Sequence, residues 1–287
     1  MVQHSALYVD EDQSRVVFGV SIGVLVLEVI SFALFIVGRG KIKMLNSFET
    51  YLLVPAFFCA LLSPISTLYL VAHGLKRDGK VLFISEVQIW LKFTILMQSF
   101  AWIVGCSVSK ISILLIGHKV FVHPVYRPIS FVIMAIVVIH AVVGIVLACT
   151  LCTPLAYEWN KTIPGGHCID VEKTFTWISF PNIVTDVAMV ILPQPFIWRL
   201  KLAREQKIGL TITFITFGIG TITSIVRFAK YFTFNLGDNK WDLLSHLWTT
   251  IEIGGYFISA CLPSVRALLA PVIARIKSQD CSSGGSL

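Results

Sequence analysis

The sequence predicts an all-α fold, a seven-transmembrane helix bundle with its N-terminus outside and its C-terminus cytoplasmic. Three observations carry that prediction: apolar stretches of bilayer-spanning length recur along the chain, charge is scarce, and Lys and Arg are shared unequally between alternate loops. Of 287 residues, 56% are hydrophobic and 14% charged, with a mean hydropathy of +0.81. An ordinary soluble domain carries roughly 25% charged residues, so a disordered chain is excluded and a water-soluble enzyme is disfavoured. About 20 apolar residues span a bilayer, and such stretches fall at 16–37, 50–72, 87–117, 129–151, 175–198, 208–231 and 243–270. Each must satisfy its own backbone hydrogen bonds in lipid, which selects helices. The period-two alternation of a barrel strand is absent. Residues 1–15 read as an extracytoplasmic arm and 271–287 as a short, polar cytoplasmic tail. The arm lacks the basic start of a signal peptide, so the first stretch reads as a retained span.

Orientation follows from the basic residues. With the N-terminus outside, the inner segments hold twelve Lys and Arg and the outer segments seven, the bias expected for cytoplasmic loops. The net charge of +7 is therefore assigned to loops and not to a nucleic-acid partner, for which no recognition motif is present. The loop between the fourth and fifth stretches is placed outside by the same rule. It carries Cys152, Cys168 and the sequon Asn160-Lys161-Thr162. Disulfides and N-glycans both belong to that side, so a Cys152–Cys168 bridge and a glycan on Asn160 are expected, two free thiols being the alternative for the cysteines. Such a bridge contributes roughly 3 kcal/mol in the chain-entropy model. The expected setting is a multi-pass protein of the plasma membrane or an endomembrane, with the lipid bilayer as its first partner. No residue spacing suggests a metal site.

An ionisable side chain inside a span is expensive and is a functional candidate by default. Glu28, Asp186 and Glu252 lie deep within their stretches, and Arg227, near the outer end of the sixth, can reach inward to Asp186 or Glu252. Polar neighbours recur at helical spacing. Asn182 and Asp186 are four apart. Thr213, Thr216, Gly220, Thr223 and Arg227 form one stripe, and Ser245, Thr249, Glu252, Tyr256 and Ser259 another. Ser21, Glu28 and Ser31 share a face of the first span. Four stripes turned to a common interior would build a central polar pocket from Asn182, Asp186, Arg227, Trp248, Glu252 and Tyr256, suited to a small apolar or amphipathic molecule. The same stripes also serve as interhelical glue. If the pocket is catalytic, Asp186, Glu252 and Glu28 are the carboxyls available for acid–base work, and Trp177, Phe180, Trp248 and Tyr256 the aromatics that would face a developing cation. No spacing singles out a catalytic pair. Lys92, near a span end, is placed to snorkel. Lys110 ranks below the other charges, and His140 reads as a helix-packing residue. Pro55, Pro64, Pro181, Pro193 and Pro263 mark bends.

Seven spans invite comparison with opsins and receptors. The stretch 243–270 has no lysine for a retinal Schiff base, so neither retinal nor another cofactor is expected. Asp-Arg-Tyr after the third span and Asn-Pro-x-x-Tyr in the seventh are both missing, so the major G-protein-coupled families are unsupported and no G-protein partner is expected. Other motifs are present: Cys152-Thr-Pro, Gly165-Gly-His-Cys168-Ile-Asp170, Asn182-Ile-Val-Thr-Asp186, Leu192-Pro193, Trp198-Arg-Leu200, Gln206-Lys207-Ile208, Ile225-Val-Arg227, Ile251-Glu252-Ile-Gly and Ser259-Ala-Cys261-Leu-Pro263-Ser-Val-Arg266. In these the chain resembles the fungal rhodopsin-like domain family, which includes proteins of satratoxin-type metabolite clusters and receptor-like proteins. The resemblance implies a membrane component of secondary metabolism, with a receptor-like sensor as the alternative. It departs at Phe48-Glu49, where the family often has Asp-Asp. Either Glu49 alone does the work of that pair or the work is absent.

Overall fold

The computed structural model describes residues 11–41, 47–74, 84–121, 123–158, 163–169, 171–199, 204–233 and 243–283. Helices dominate: α1 (Glu11–Lys41), α2 (Phe48–Gly74), α3 (Ile84–Val120), α4 (Tyr126–Thr150), α5 (Val171–Ile191), α6 (Gln194–Arg199), α7 (Arg204–Thr233) and α8 (Leu243–Ser283). Between α4 and α5, β1 (Cys152–Thr153) pairs antiparallel with β2 (His167–Cys168). The directly opposed Cys152 and Cys168 are joined by a disulfide. Cys149 stands in C-x-x-C spacing with Cys152, yet stays a free, exposed thiol.

Among the described residues six segments are long and apolar enough to cross a membrane: Ser14–Lys41, Phe48–Tyr69, Met97–Lys119, Tyr126–Thr150, Thr176–Phe196 and Gly209–Lys230. They fall in the first six of the seven expected stretches. The seventh stretch is helical in α8, and its polar stripe of Thr249, Thr250, Glu252 and Ser259 is buried. A helix can carry so much polarity when it is wrapped by others. α8 packs against α1, α2, α3 and α7 and forms the centre of the bundle.

Three boundaries differ from expectation. α1 is already helical at Glu11, inside the expected arm. The fifth stretch breaks at a turn over Leu192 and Pro193, with α6 following, because proline cannot donate to the helix ladder and clashes with the preceding turn. α8 runs through to Ser283, so most of the expected tail is helix. Asn160 lies outside the described residues.

The radial order is that of a protein in lipid. Glu28, Lys110, Asp186 and Glu252 are almost wholly buried, while Val132, Ile139, Ile215 and Ile222 are about 60% exposed. Apolar seams fill the remaining interior. Phe32 of α1, Phe57 of α2 and Phe257 of α8 meet with ring centroids 4.0, 5.7 and 6.3 Å apart. A polar knot ties α2, α3 and α8: Gln98 donates to Ser63 Oγ at 3.0 Å, Ser66 donates to Gln98 Oε1 at 2.8 Å, and Ser63 and Thr67 lie 3.0 and 3.1 Å from Thr250 Oγ1. Such bonds hold membrane helices in register where apolar contact with lipid is no worse than apolar contact with a neighbour.

The α7–α8 contact depends on missing side chains. A Cβ on Gly220 would sit 2.6 Å from the Tyr256 ring, and one on Gly255 3.5 Å from the Gly220 Cα. Gly220→Ala overpacks this contact and is expected to lower stability by about 1–3 kcal/mol, read as a drop in the thermal unfolding midpoint of the detergent-solubilised protein. An unchanged midpoint would show that the helices do not approach this closely.

Candidate functional site: a buried ion quartet

Four helices send one charge each into the middle of the bundle. α5 contributes Asn182 and Asp186 from one face. α7 contributes Ser224 and Arg227, and α8 contributes Glu252 and Tyr256, again four apart. α3 contributes Lys110, below Trp102 and Cys106 on the same face. None of the four charged side chains is more than 3% exposed.

The charges pair across helices. Lys110 Nζ lies 2.7 Å from Asp186 Oδ1, and Arg227 Nε lies 3.1 Å from Glu252 Oε2. Asn182 joins the two pairs. Its amide donates to Glu252 Oε1 at 3.1 Å and to Asp186 Oδ2 at 3.4 Å, and its carbonyl oxygen accepts from Lys110 at 2.6 Å. Tyr256 OH donates to Asp186 Oδ2 at 2.7 Å. Ser224 donates to Glu252 Oε1 and lies 3.1 Å from the Tyr256 oxygen, which closes a ring of polar contacts. Thr185 Oγ1 accepts from Lys110 at 3.2 Å. Aromatic faces cover the cations, with Arg227 over Trp102 at 4.3 Å and Lys110 over Tyr256 at 5.3 Å, a contact that strengthens when the cation is desolvated.

Asp186, Arg227, Glu252, Asn182 and Tyr256 are thus brought together, with Arg227 choosing Glu252. Lys110 is the residue sequence reasoning ranked too low. The signal was its place within the third apolar stretch: a carboxylate inside a span needs a cation, and Lys110 is a cation inside a span. Ser224, Thr185 and Trp102 carried no signal beyond helical spacing.

Other expectations are corrected. The stripe on α1 does not join the rest. Glu28 is fully buried, but its Oε1 would lie 3.0 Å from a Cβ on Gly254, and Gly254 is on the flank of α8 turned away from Glu252 and Tyr256. Among the described residues neither Glu28 oxygen has a hydrogen-bond partner. Trp248, half-buried one turn before Glu252, is no member of the ring. Trp177 and Phe180 are 72% and 51% exposed, because α5 turns them outward, and cannot face a central cation. His140 Nε2 lies 2.8 Å from the Ile178 carbonyl oxygen.

Phe48-Glu49 forms a second charged station at one end of the bundle. Glu49 binds Arg39 of α1 at 2.7 Å and Lys119 of α3 at 2.9 Å, and Arg39 also donates to Ser264 of α8 at 3.1 Å. One carboxylate there links three helices. Among the described residues no three His, Cys, Asp or Glu side chains group as metal ligands.

Removing one member of a buried pair strands its partner, at about 3–5 kcal/mol. Asp186→Asn and Lys110→Met are each expected to cost about 3 kcal/mol of stability, while the double variant loses far less than the sum, measured as a double-mutant cycle on unfolding in detergent. Additive losses would mean that the two charges do not interact.

The comparisons with known proteins agree with this membrane architecture. The chain is 34% identical over 153 residues, 47% of its length and 40% of the relative's, to the polyenoic acids biosynthesis gene cluster protein Ba17b of Metarhizium anisopliae. It is 28% identical to fugralins biosynthesis cluster protein 2 of Gibberella zeae over 44% of this chain and 32% of that one. Receptor GIN3 of Arthrobotrys oligospora is 26% identical over 68% of this chain and 48% of its own length. The chain spans less than half the length of these relatives. No solved structure matches it. The fungal rhodopsin domain model matches residues 36–271. That match begins near the end of α1, takes in α2 to α7 and ends within α8, and the chain belongs to the fungal rhodopsin domain family of multi-pass membrane proteins.

Proposed function

We propose that this chain is a seven-span, N-terminus-out membrane component of a secondary-metabolite pathway, and that it binds a small apolar or amphipathic molecule and answers by rearranging the central ion quartet. The observation that carries this reading is the closed network of Lys110, Asp186, Arg227 and Glu252. Charges at such depth are retained where they do work, and a network spanning four helices can occupy two discrete arrangements. Relatives named for biosynthesis clusters support the pathway setting. Acid–base catalysis is the weaker form of the proposal. Every oxygen of Asp186 and Glu252 is engaged by a cation or a donor, which leaves no open carboxyl face toward a substrate.

A receptor-like sensor is the second reading. The match to receptor GIN3, the longest of those described, favours it, and so does a switchable core. Gene deletion in the source organism followed by metabolite profiling separates the two. The pathway reading expects a named product class to fall severalfold, and Asp186→Asn and Glu252→Gln fail to restore it. Unchanged products together with a lost transcriptional response to an added amphiphile indicate the sensor. An unchanged profile and an unchanged response would defeat both.

The proposed topology has its own test. Asn160 then faces the lumenal or extracellular side, and glycosidase treatment shifts the wild-type band but not the band of Asn160→Gln. A cytoplasmic location of an epitope placed in this loop would overturn the orientation.

A further inference from the structure

A cleft of about 440 Å³ opens where α2, α3 and α4 come together at the end of the bundle opposite the disulfide hairpin. Its size is within the range of small-molecule sites. Phe48, Leu115 and Phe131 form the apolar wall, and Lys119, Arg127 and Glu49 the polar one, with His118 between them. Three segments apolar enough to cross a membrane have an end beside it: one starts at Phe48, one reaches Lys119 and one starts at Tyr126. The cleft therefore lies at the ends of these segments, with an apolar wall on one side and a charged wall on the other.

The charge is one-sided. Glu49 is consumed by Arg39 and Lys119, so three cations surround a single carboxylate. Lys119 remains 54% exposed despite that contact. The Arg127 guanidinium has no ion-pair partner among the described residues and is exposed. The wall beneath is held in place. His118 Nε2 lies 2.6 Å from Ser130 Oγ, and its ring meets Phe131 edge-on at 4.7 Å. Phe48 and Phe131 are 70% and 60% exposed, and Phe131 continues into the apolar outer flank of α4 at Val132, Ile136 and Ile139.

We infer that this cleft is a binding site for an anionic phospholipid of the surrounding bilayer, with the phosphate head between Lys119 and Arg127 and an acyl chain along Phe48, Leu115 and Phe131. Basic recesses between membrane helices hold acidic headgroups, and each Lys or Arg near the surface adds a comparable increment of attraction. The site is separate from the ion quartet and independent of any pathway.

The test uses the full chain purified in detergent and titrated separately with phosphatidylinositol, phosphatidylcholine, oleate and inorganic phosphate, with bound species counted by native mass spectrometry. Phosphatidylinositol is expected to be retained in preference to phosphatidylcholine. Arg127→Gln and Lys119→Gln each weaken its binding about fivefold, and Phe131→Ala weakens it through the apolar wall. Lys173→Gln, at the other end of the bundle, leaves it unchanged. Arg127 is exposed, so its variant unfolds at the wild-type midpoint. Equal retention of phosphatidylcholine, indifference to Arg127→Gln, or tighter binding of oleate or inorganic phosphate than of phosphatidylinositol overturns the assignment.

Discussion

A charge inside an apolar bundle has to meet a counter-charge, because the desolvation penalty of an isolated buried ion is several kcal/mol after relaxation. That constraint organises this molecule. The Lys110–Asp186 pair joins α3 to α5 and the Arg227–Glu252 pair joins α7 to α8, and Asn182 and Tyr256 link the two pairs, so the complete network forms only with four helices in place. The quartet acts as a register mark. Sliding any of the four helices by one turn, about 5.4 Å, would separate a pair whose contact distance is near 3 Å. Asn182 and Tyr256 extend the constraint by making each carboxylate depend on the position of the other.

The rest of the bundle reads as support for that core. Gly220 and Gly255 let α7 and α8 approach closely enough for Tyr256 to reach Asp186. The Ser63–Thr250–Gln98 knot fixes α2 and α3 against the other flank of α8. Arg39, Glu49 and Lys119 repeat at one end of the bundle the arrangement of the centre, a carboxylate shared between cations from neighbouring helices. The two stations differ in solvation. The central one is dry and closed, and closure suits a structural lock or a slow switch. The terminal one is partly open, with Lys119 still 54% exposed beside its carboxylate.

Amphipathicity by itself says little about α8. Its polar residues lie on more than one face because it has helix neighbours on most sides, so Glu252 and Tyr256 look toward α3, α5 and α7 while Gly254 looks toward Glu28 of α1. A single polar stripe per helix is a sound expectation for peripheral spans and fails for a central one.

Membrane residence, the helical spans and the disulfide were decided by local chemistry: apolar run lengths, backbone hydrogen bonding in lipid, and two cysteines flanking a short loop between two apolar stretches. The break after Ile191 was legible only as a bend at Pro193, within a stretch read as one span over 175–198. Which charges meet was not. Helical spacing placed Asp186, Arg227 and Glu252 on inward-facing stripes, but the pairing of Lys110 with Asp186, and the isolation of Glu28 on the far side of α8, follow from how the helices are rotated and ordered around one another. That arrangement is settled by packing between residues seventy or more positions apart, such as Lys110 with Asp186 and Asn182 with Glu252, and periodicity along one helix holds no record of the azimuth of its neighbours.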